Sequence, residues 1–446
     1  MSRWDAGCSV ASAAVALVLV ANHAVAQSVE VTVETAAELR EALKPGQGAR
    51  TIRLLAGRYV LDAPLVVPDG VELVGVGVMR TGPDGLPAGF APGAATVLVA
   101  TERFQGDVVT LGDRTRLQSL RVESPVASAD KPAAGNLVVI ASRRAGDRVK
   151  ATLSECEIIN HTQVGFSLAG PTGRTIAVLT RNPGAGVPWH EGARVVVAIE
   201  RSLVRSMTGI ASVFAINFAS AGSIELDFER SRFEGSLGIV GGVARPDPVR
   251  GASTVLRSRG NLYVKGGGTY PIGWGILGAS VAPHAEIGGG GSESSSVRVE
   301  SQDDRIEGYR VGIQAAAGRL VAAMPGTVMR NRGELTLRGI RIRSVGEGAA
   351  DLSLHGALSE SESGNETGPE APMNAQGNVL RVSIQGSSGS GVRRNVYANA
   401  WLSGDADTAG RNRLEIAGSR AEFLESNADF APAPDARHFL TPADDR

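Results

Sequence analysis

The chain is poor in cysteine, aromatic rings and histidine, and neither sign of charge is in excess. Cys8 and Cys156 are the only cysteines in 446 residues, which excludes a disulfide framework. Cys8 falls in a segment that reads as a removable leader. Cys156, set among apolar neighbours, is expected to be packing rather than a nucleophile. Aromatic residues make up 4% of the chain, so any core has to be aliphatic. Lys and Arg number 45 against 46 Asp and Glu, a balance that gives no attraction to nucleic acid or to an anionic membrane. The six histidines are scattered. No zinc-ligand spacing, phosphate-binding loop or Gly-x-Ser-x-Gly elbow occurs, which removes support for metal hydrolysis and serine-esterase chemistry.

What the chain does have is glycine, 57 of them, with abundant Ala, Val, Ser and Arg. The first 26 residues carry Arg3, an apolar run from Val10 to Ala21 and Ala24-Val25-Ala26 before Gln27. This is the pattern of a secretory signal, too short to span a bilayer comfortably. It predicts export to the periplasm, the cell surface or the medium, with no membrane insertion after cleavage.

The stretch from Thr35 to Gly77 sets the architecture. Thr35 and Glu38 form a capping-box pattern, in which Thr35 accepts the N–H three residues on and Glu38 reaches back to the threonine N–H. A cap helix over 35–44 follows, with Ala36, Leu39, Ala42 and Leu43 at helical spacing and Pro45-Gly46 as its stop. The period then changes to two, at Ile52/Leu54, Tyr59/Leu61, Leu65/Val67 and Val71/Leu73/Gly75. These strands are short, and no link between them holds a crossover helix. They bury their apolar faces if the chain winds into a coil whose turns stack, with the helix closing one end.

That run, with Gly-Arg-Tyr-Val-Leu at 57–61 and Pro-Asp-Gly-Val-Glu-Leu-Val-Gly at 68–75, resembles the start of secreted right-handed parallel β-helix proteins, the pectin-lyase-like superfamily. The resemblance implies an all-β, right-handed parallel β-helix (a solenoid) with an N-terminal capping helix. It does not select an activity, because the group contains lyases, hydrolases, epimerases, tailspikes and surface proteins. The lyase signature Trp-x-Asp-His is absent. Asp303-Asp304 matches the aspartate pair of polygalacturonase-like members, but Asn-Thr-Asp and Gly-His-Gly are missing and Leu354-His355-Gly356 is a partial match.

Further along, the spacing apolar-x-apolar-x-x-small-x-apolar recurs at Ala151/Leu153/Cys156/Ile158, Val197/Ile199/Ser202/Val204 and Leu226/Phe228/Ser231/Phe233, with a degenerate copy at Leu414/Ile416/Ser419/Ala421. The small residue is read as a sharp corner where a bulky one would meet the next rung. About ten to thirteen coils of roughly 25 to 35 residues are expected, forming one body over 27–430 with a loose tail from 431. Thr81 to Ala95 is read as a Gly/Pro-rich excursion. The stretches 182–192, 266–278, 288–296 and 357–376 are expected to break the period, and the last two, poor in large apolar residues, to be flexible.

Chemistry on such a coil belongs to its outward positions. Glu225, Asp227 and Glu229 alternate with Ile224, Leu226 and Phe228 and so leave one face of one strand. As three oxygen donors they are a candidate Ca²⁺ site. Arg257, Arg259 and Lys265 come one coil later and supply positive charge, so that Asp227, Arg257 and Arg259 form the candidate catalytic set for a calcium-dependent lyase. The competing reading is a solvated charge ladder, since Arg298/Glu300, Glu334/Arg338 and Arg413/Glu415 show the same mix. Trp189 and His190, beside Glu191, and Tyr270 with Trp274 are candidate sugar contacts. Alternatively Trp189 anchors its loop with His190 exposed, and Tyr270 and Trp274 plug theirs. The sequence thus points to polysaccharide as partner, bound or modified, against a non-catalytic surface or structural solenoid, monomeric or trimeric.

Overall fold

The computed structural model describes residues 29–46, 50–93, 95–102, 104, 106–124, 135–161, 174–180, 189–206, 211–235, 237–243, 248–266, 274–281, 290–321, 326–347, 349–360, 373–390, 394–401, 409–417 and 440–442. Residues 1–28, which include the stretch expected to be a leader, most of 431–446 and Tyr270 lie outside them. Successive turns of chain visit the same sheets in the same order. From Ser223–Glu229 the backbone passes to Arg232–Gly235, Leu237–Val243 and Val249–Arg250. It then returns as Ser253–Arg259 one rung on, with Asp227 beside Arg257 and Glu229 beside Arg259. Among the described residues, stacking these turns gives sheets of 12, 9, 11 and 5 strands. Every pairing within them is parallel except that of Leu440–Pro442 on Arg394–Trp401. The chain is a parallel β-helix. The 12 strands of its first sheet fall within the coil number expected from the repeat.

Alternation decides what lies inside. On the second sheet the inward column runs Tyr59, Leu98, Val122, Ile158, Val204, Phe233, Tyr263, Ile306, Ile342, all buried. Each such side chain removes roughly 1.5 to 3 kcal/mol worth of apolar surface from water. Three aromatics, Tyr59, Phe233 and Tyr263, stand in this column, and the Phe233 and Tyr263 rings are stacked 5.1 Å apart.

The corners explain the repeated small residue more fully than sterics alone. At each one a residue with positive φ (Glu155, Arg201, Arg230, Gly260, Asp303) precedes a buried one (Cys156, Ser202, Ser231, Asn261, Asp304). The N–H of each of the first four then donates to the side-chain oxygen one rung on: Cys156 to Ser202 Oγ at 3.0 Å, Ser202 to Ser231 Oγ at 3.1 Å, Ser231 to Asn261 Oδ1 at 2.8 Å, Asn261 to Asp304 Oδ1 at 2.7 Å. The corner residue is therefore selected for an acceptor as well as for size. A second ladder, which the repeat does not reveal, runs from Ala252 through Ser295, Asn331 and Asn378 to Asn412.

Two local expectations are corrected. The helix is Ala36–Ala42, with Thr35 Oγ1 accepting from Glu38 N; the Glu38 carboxylate, however, accepts from Glu34 N at 2.8 Å rather than from Thr35. The residue before the cap is reached because the preceding strand Val29–Val33 brings the chain in extended. Parts of three stretches expected to interrupt the coil are strands: Trp274–Val281 begins inside 266–278 and joins the third sheet, while Gly290–Glu293 and Met373–Gln376 belong to the fourth. The sequences of the latter two carry no apolar alternation because their neighbours hold them through backbone pairing and the Asn/Ser ladder. Among the described residues no helix is long and apolar enough to cross a membrane.

Candidate functional site

The outward face of the first sheet brings Glu225, Asp227, Arg257 and Arg194 together. Arg257 Nη1 lies 3.3 Å from Asp227 Oδ1 and 3.6 Å from Glu225 Oε2, and Arg194 Nη2 is 2.6 Å from Glu225 Oε1. Glu229 and Arg259 face each other in register, and among the described residues Arg259 makes no ion pair. The pattern continues along the sheet. Arg298 pairs with Glu300 at 2.5 Å and with Glu334 at 3.7 Å, and Arg381 pairs with Glu415 at 2.8 Å. These carboxylates are thus paired with guanidiniums of the same or a neighbouring rung. Among the described residues no group of three or more His, Cys, Asp or Glu is arranged to hold a metal ion.

The aromatic candidates are placed elsewhere. Trp189 stacks on Phe218 with ring centroids 6.0 Å apart, and His190 is buried with Nδ1 2.8 Å from Ser142 Oγ. The histidine expected to be exposed, if this loop were merely anchored, is covered, because it fills the space under the corner beside Ser142. The backbone of Trp274 lies in the third sheet between Leu237 and Val311. None of these shares a face with Asp227 and Arg257.

A different constellation is built by the excursion after Thr81. Met79–Thr81 and Pro87–Phe90 form an antiparallel hairpin, closed by Gly82 N to Leu86 O at 2.8 Å and by Leu86 N to Asp84 Oδ1 at 3.1 Å. This strap lies across the outside of the second sheet. At its base Phe90 is buried against Gly77, where a Cβ would meet the ring at 2.5 Å. At the same end, Phe90 N donates to Glu157 Oε2 at 3.3 Å, and Glu157 in turn pairs with Arg121 at 2.6 Å. At its tip the Asp84 carboxylate lies 3.3 Å from Arg232 Nη1 and 3.5 Å from Arg305 Nη2. Burial of Phe90 and Leu86, roughly 1.5 to 3 kcal/mol each, anchors the strap more firmly than these partly exposed ion pairs, at roughly 1 kcal/mol or less each.

Beside the tip is a cleft of about 360 Å³ lined by Asp84, Leu86, Gly260, Asp303, Asp304, Arg305, Gly339 and Arg341. Two corners of the coil form its floor. Asp303 is exposed with φ 56°, and Gly339, one rung on at φ +62°, sits so close that a Cβ would lie 2.5 Å from Asp303 Oδ1. Asp304 is buried, and that burial pushes its carboxyl up to about 6. Both its oxygens are engaged, Oδ1 by Asn261 N and Oδ2 by Ser301 Oγ at 2.6 Å. Arg305 and Arg341 occupy the same outward column on adjacent rungs. Among the described residues Arg305 pairs with no acid other than Asp84, and Arg341 with none.

Of this set only Asp303 and Asp304 stood out in the sequence. Gly82-Pro83-Asp84-Gly85 is a legible turn signal, yet nothing local says that Asp84 comes to rest on Arg232 and Arg305. Elsewhere, Cys156 is fully buried and its thiol is pushed up to about 12 by that burial, as packing requires.

No family model and no curated protein matches the sequence. Among solved structures the chain is similar to the A-module of a mannuronan C-5 epimerase from Azotobacter vinelandii, at 13% identity and a TM-score of 0.33 over 86% of this chain and 96% of that one. It is also similar to a polygalacturonase from Erwinia carotovora ssp. carotovora, at 12% and 0.35 over 88% and 96%. A third is the catalytic unit of an α-1,3-glucanase from Streptomyces thermodiastaticus, at 14% and 0.38 over 94% and 72%.

Proposed function

We propose that this chain is an exported β-helix protein that binds a polysaccharide on the outside of its coil, with one sugar unit held in the cleft at the strap tip. The observation that carries the reading is the convergence of Asp84, Asp303, Arg305 and Arg341 on one concave, largely polar surface. Carboxylates accept from sugar hydroxyls, guanidiniums donate to hydroxyl or carboxylate oxygens, and a few placed polar groups in a cleft of this size orient a ligand. Binding is favoured over catalysis because Asp304, the carboxyl with the raised pKa, has both oxygens committed to the corner ladder. The calcium-dependent lyase reading at Glu225, Asp227 and Glu229 is supported less, since Arg194 and Arg257 already balance two of those carboxylates.

The test is retention of the protein from Gln27 onward on a panel of immobilised neutral and acidic polysaccharides, with and without Ca²⁺. Selective retention that Arg341→Ala weakens supports the cleft. Retention of nothing on the panel favours the structural solenoid. A calcium-dependent rise in ultraviolet absorbance from an unsaturated sugar product, lost in Asp227→Ala, moves the site to the first sheet.

A further inference from the structure

The strap is not part of the coil, yet its tip places a carboxylate on the coil's arginines. On the outward column of the second sheet, Arg232, Leu262, Arg305 and Arg341 follow one another on successive rungs, roughly 4.8 Å apart. Arg232 has an acid of its own, Glu234, at 2.6 Å. Arg305 depends on Asp84, through the carboxylate at 3.5 Å and the main-chain oxygen at 3.4 Å. Arg341 stands one rung further into the cleft, exposed and, among the described residues, without an ion pair. The two guanidiniums therefore form a two-rung cationic seat. One half is covered by a residue that reaches it from 221 positions away, and the other half is open.

We propose that Asp84 is an internal substitute for an anionic group of the ligand. The strap tip is a latch: an anionic substituent of the glycan takes the place of the Asp84 carboxylate on Arg305 while also engaging Arg341. The exchange conserves charge at Arg305 and adds the uncompensated cation of Arg341, so an anion gains where a neutral sugar does not. The Asp84 carboxylate can leave at low cost. Its ion pairs are partly exposed, while Phe90 at the base and Leu86 beside the turn stay buried, so the hairpin remains anchored as the Asp84 side chain turns away and gives up its bond from Leu86 N. This deepens the polysaccharide reading and, as to the glycan, rests on it.

The test compares the whole chain and its Asp84→Asn and Arg305→Gln variants for binding to carboxymethyl dextran, dextran sulfate and unsubstituted dextran. Backbone hydrogen exchange at Gly82, Gly85 and Leu86 is followed in parallel with each polymer and with inorganic sulfate alone. Asp84→Asn is expected to bind the charged dextrans about fivefold more tightly, the worth of one exposed ion pair, and Arg305→Gln to lose that gain. Anions are expected to speed exchange at the tip of the wild-type chain. A preference between the two charged dextrans separates carboxylate from sulfate as the group seated. Equal binding of all three dextrans regardless of Asp84 overturns the latch and leaves polysaccharide binding standing. No binding to any dextran, with sulfate still freeing the tip through Arg305, keeps the latch and overturns the glycan. Tip protection that rises with anions overturns the latch outright, because the strap would then be closing on the ligand.

Discussion

Asp84 and Arg305 are separated by 221 residues in sequence and 3.5 Å in space. The strap that joins them is held at its other end by the fit of Phe90 into the room left by Gly77. Gly77→Ala would drive a methyl into that ring, and overpacking of this kind costs roughly 1 to 3 kcal/mol. Because the ring belongs to the strap and the main coil is paired independently, the cost is expected to appear as faster hydrogen exchange at Gly82 and Ala91, with little change in the thermal unfolding of the coil. Unchanged protection at both amides would mean the strap does not depend on this contact.

Asp304 gives the molecule a pH dependence of known sign. Its carboxyl is raised by burial from 3.8 to about 6, so the folded state holds this proton more tightly than the unfolded chain. The stabilisation is present in full below pH 3.8 and is lost as pH rises through 6, leaving a cost on the order of 3 kcal/mol at neutral pH. Asparagine at 304 would accept from Asn261 N through its oxygen and donate to Ser301 Oγ through its amide, and the preceding rung already uses an asparagine, Asn261. Asp304→Asn is therefore expected to raise the urea midpoint at about pH 8, with the difference closing near pH 4. A difference that does not vary with pH would assign the effect to shape rather than charge.

The fold was legible because period-two alternation and glycine punctuation are local, and every coil repeats them. Tyr59, Leu73, Leu153 and Phe228 all lie inside as their spacing predicts. The corner residues were legible as small but not as ladder members, since an acceptor for the next rung looks in sequence like any serine or asparagine. The cleft was illegible for a different reason. Asp84, Arg232, Arg305 and Arg341 meet only because an excursion from an early coil lies down across many later ones, and no local pattern encodes where a hairpin comes to rest. The carboxylates of Glu225 and Asp227 were correctly read as outward, while their pairing with Arg194 and Arg257 required the register of the rungs.

The second ladder is expected to be more sensitive than the outward charges. Asn378 is fully buried; its Nδ2 donates to Val328 O at 2.9 Å and Asn412 Oδ1 at 2.8 Å, and its Oδ1 accepts from Asn331 N at 3.1 Å. Asn378→Ala strips a partner from a buried carbonyl and a buried N–H, each worth about 1 to 3 kcal/mol when left unmade. A loss on the order of 2 to 5 kcal/mol in chemical denaturation is the expected outcome, and Asn378→Leu, which restores bulk but no acceptor, should do no better. Recovery in the leucine variant would show that volume, not hydrogen bonding, is what the position supplies.

The last prediction sets the two charged faces against each other. Arg257 is two-thirds covered and bridges Asp227 and Glu225, but Arg194 also holds Glu225, so the pairs form a ladder in which no single member is indispensable. Arg257→Ala is expected to cost about 1 kcal/mol or less in stability and to leave polysaccharide retention as it was. Arg341, exposed and without an ion pair among the described residues, contributes little to the fold and faces the cleft. Arg341→Ala should keep the unfolding midpoint and lose a large part of the retention, because one cation in two of the cleft's seat is gone. Measured side by side on the same immobilised glycans, the reverse pattern, retention lost in Arg257→Ala and kept in Arg341→Ala, would locate the ligand on the first sheet, beside Glu225 and Asp227.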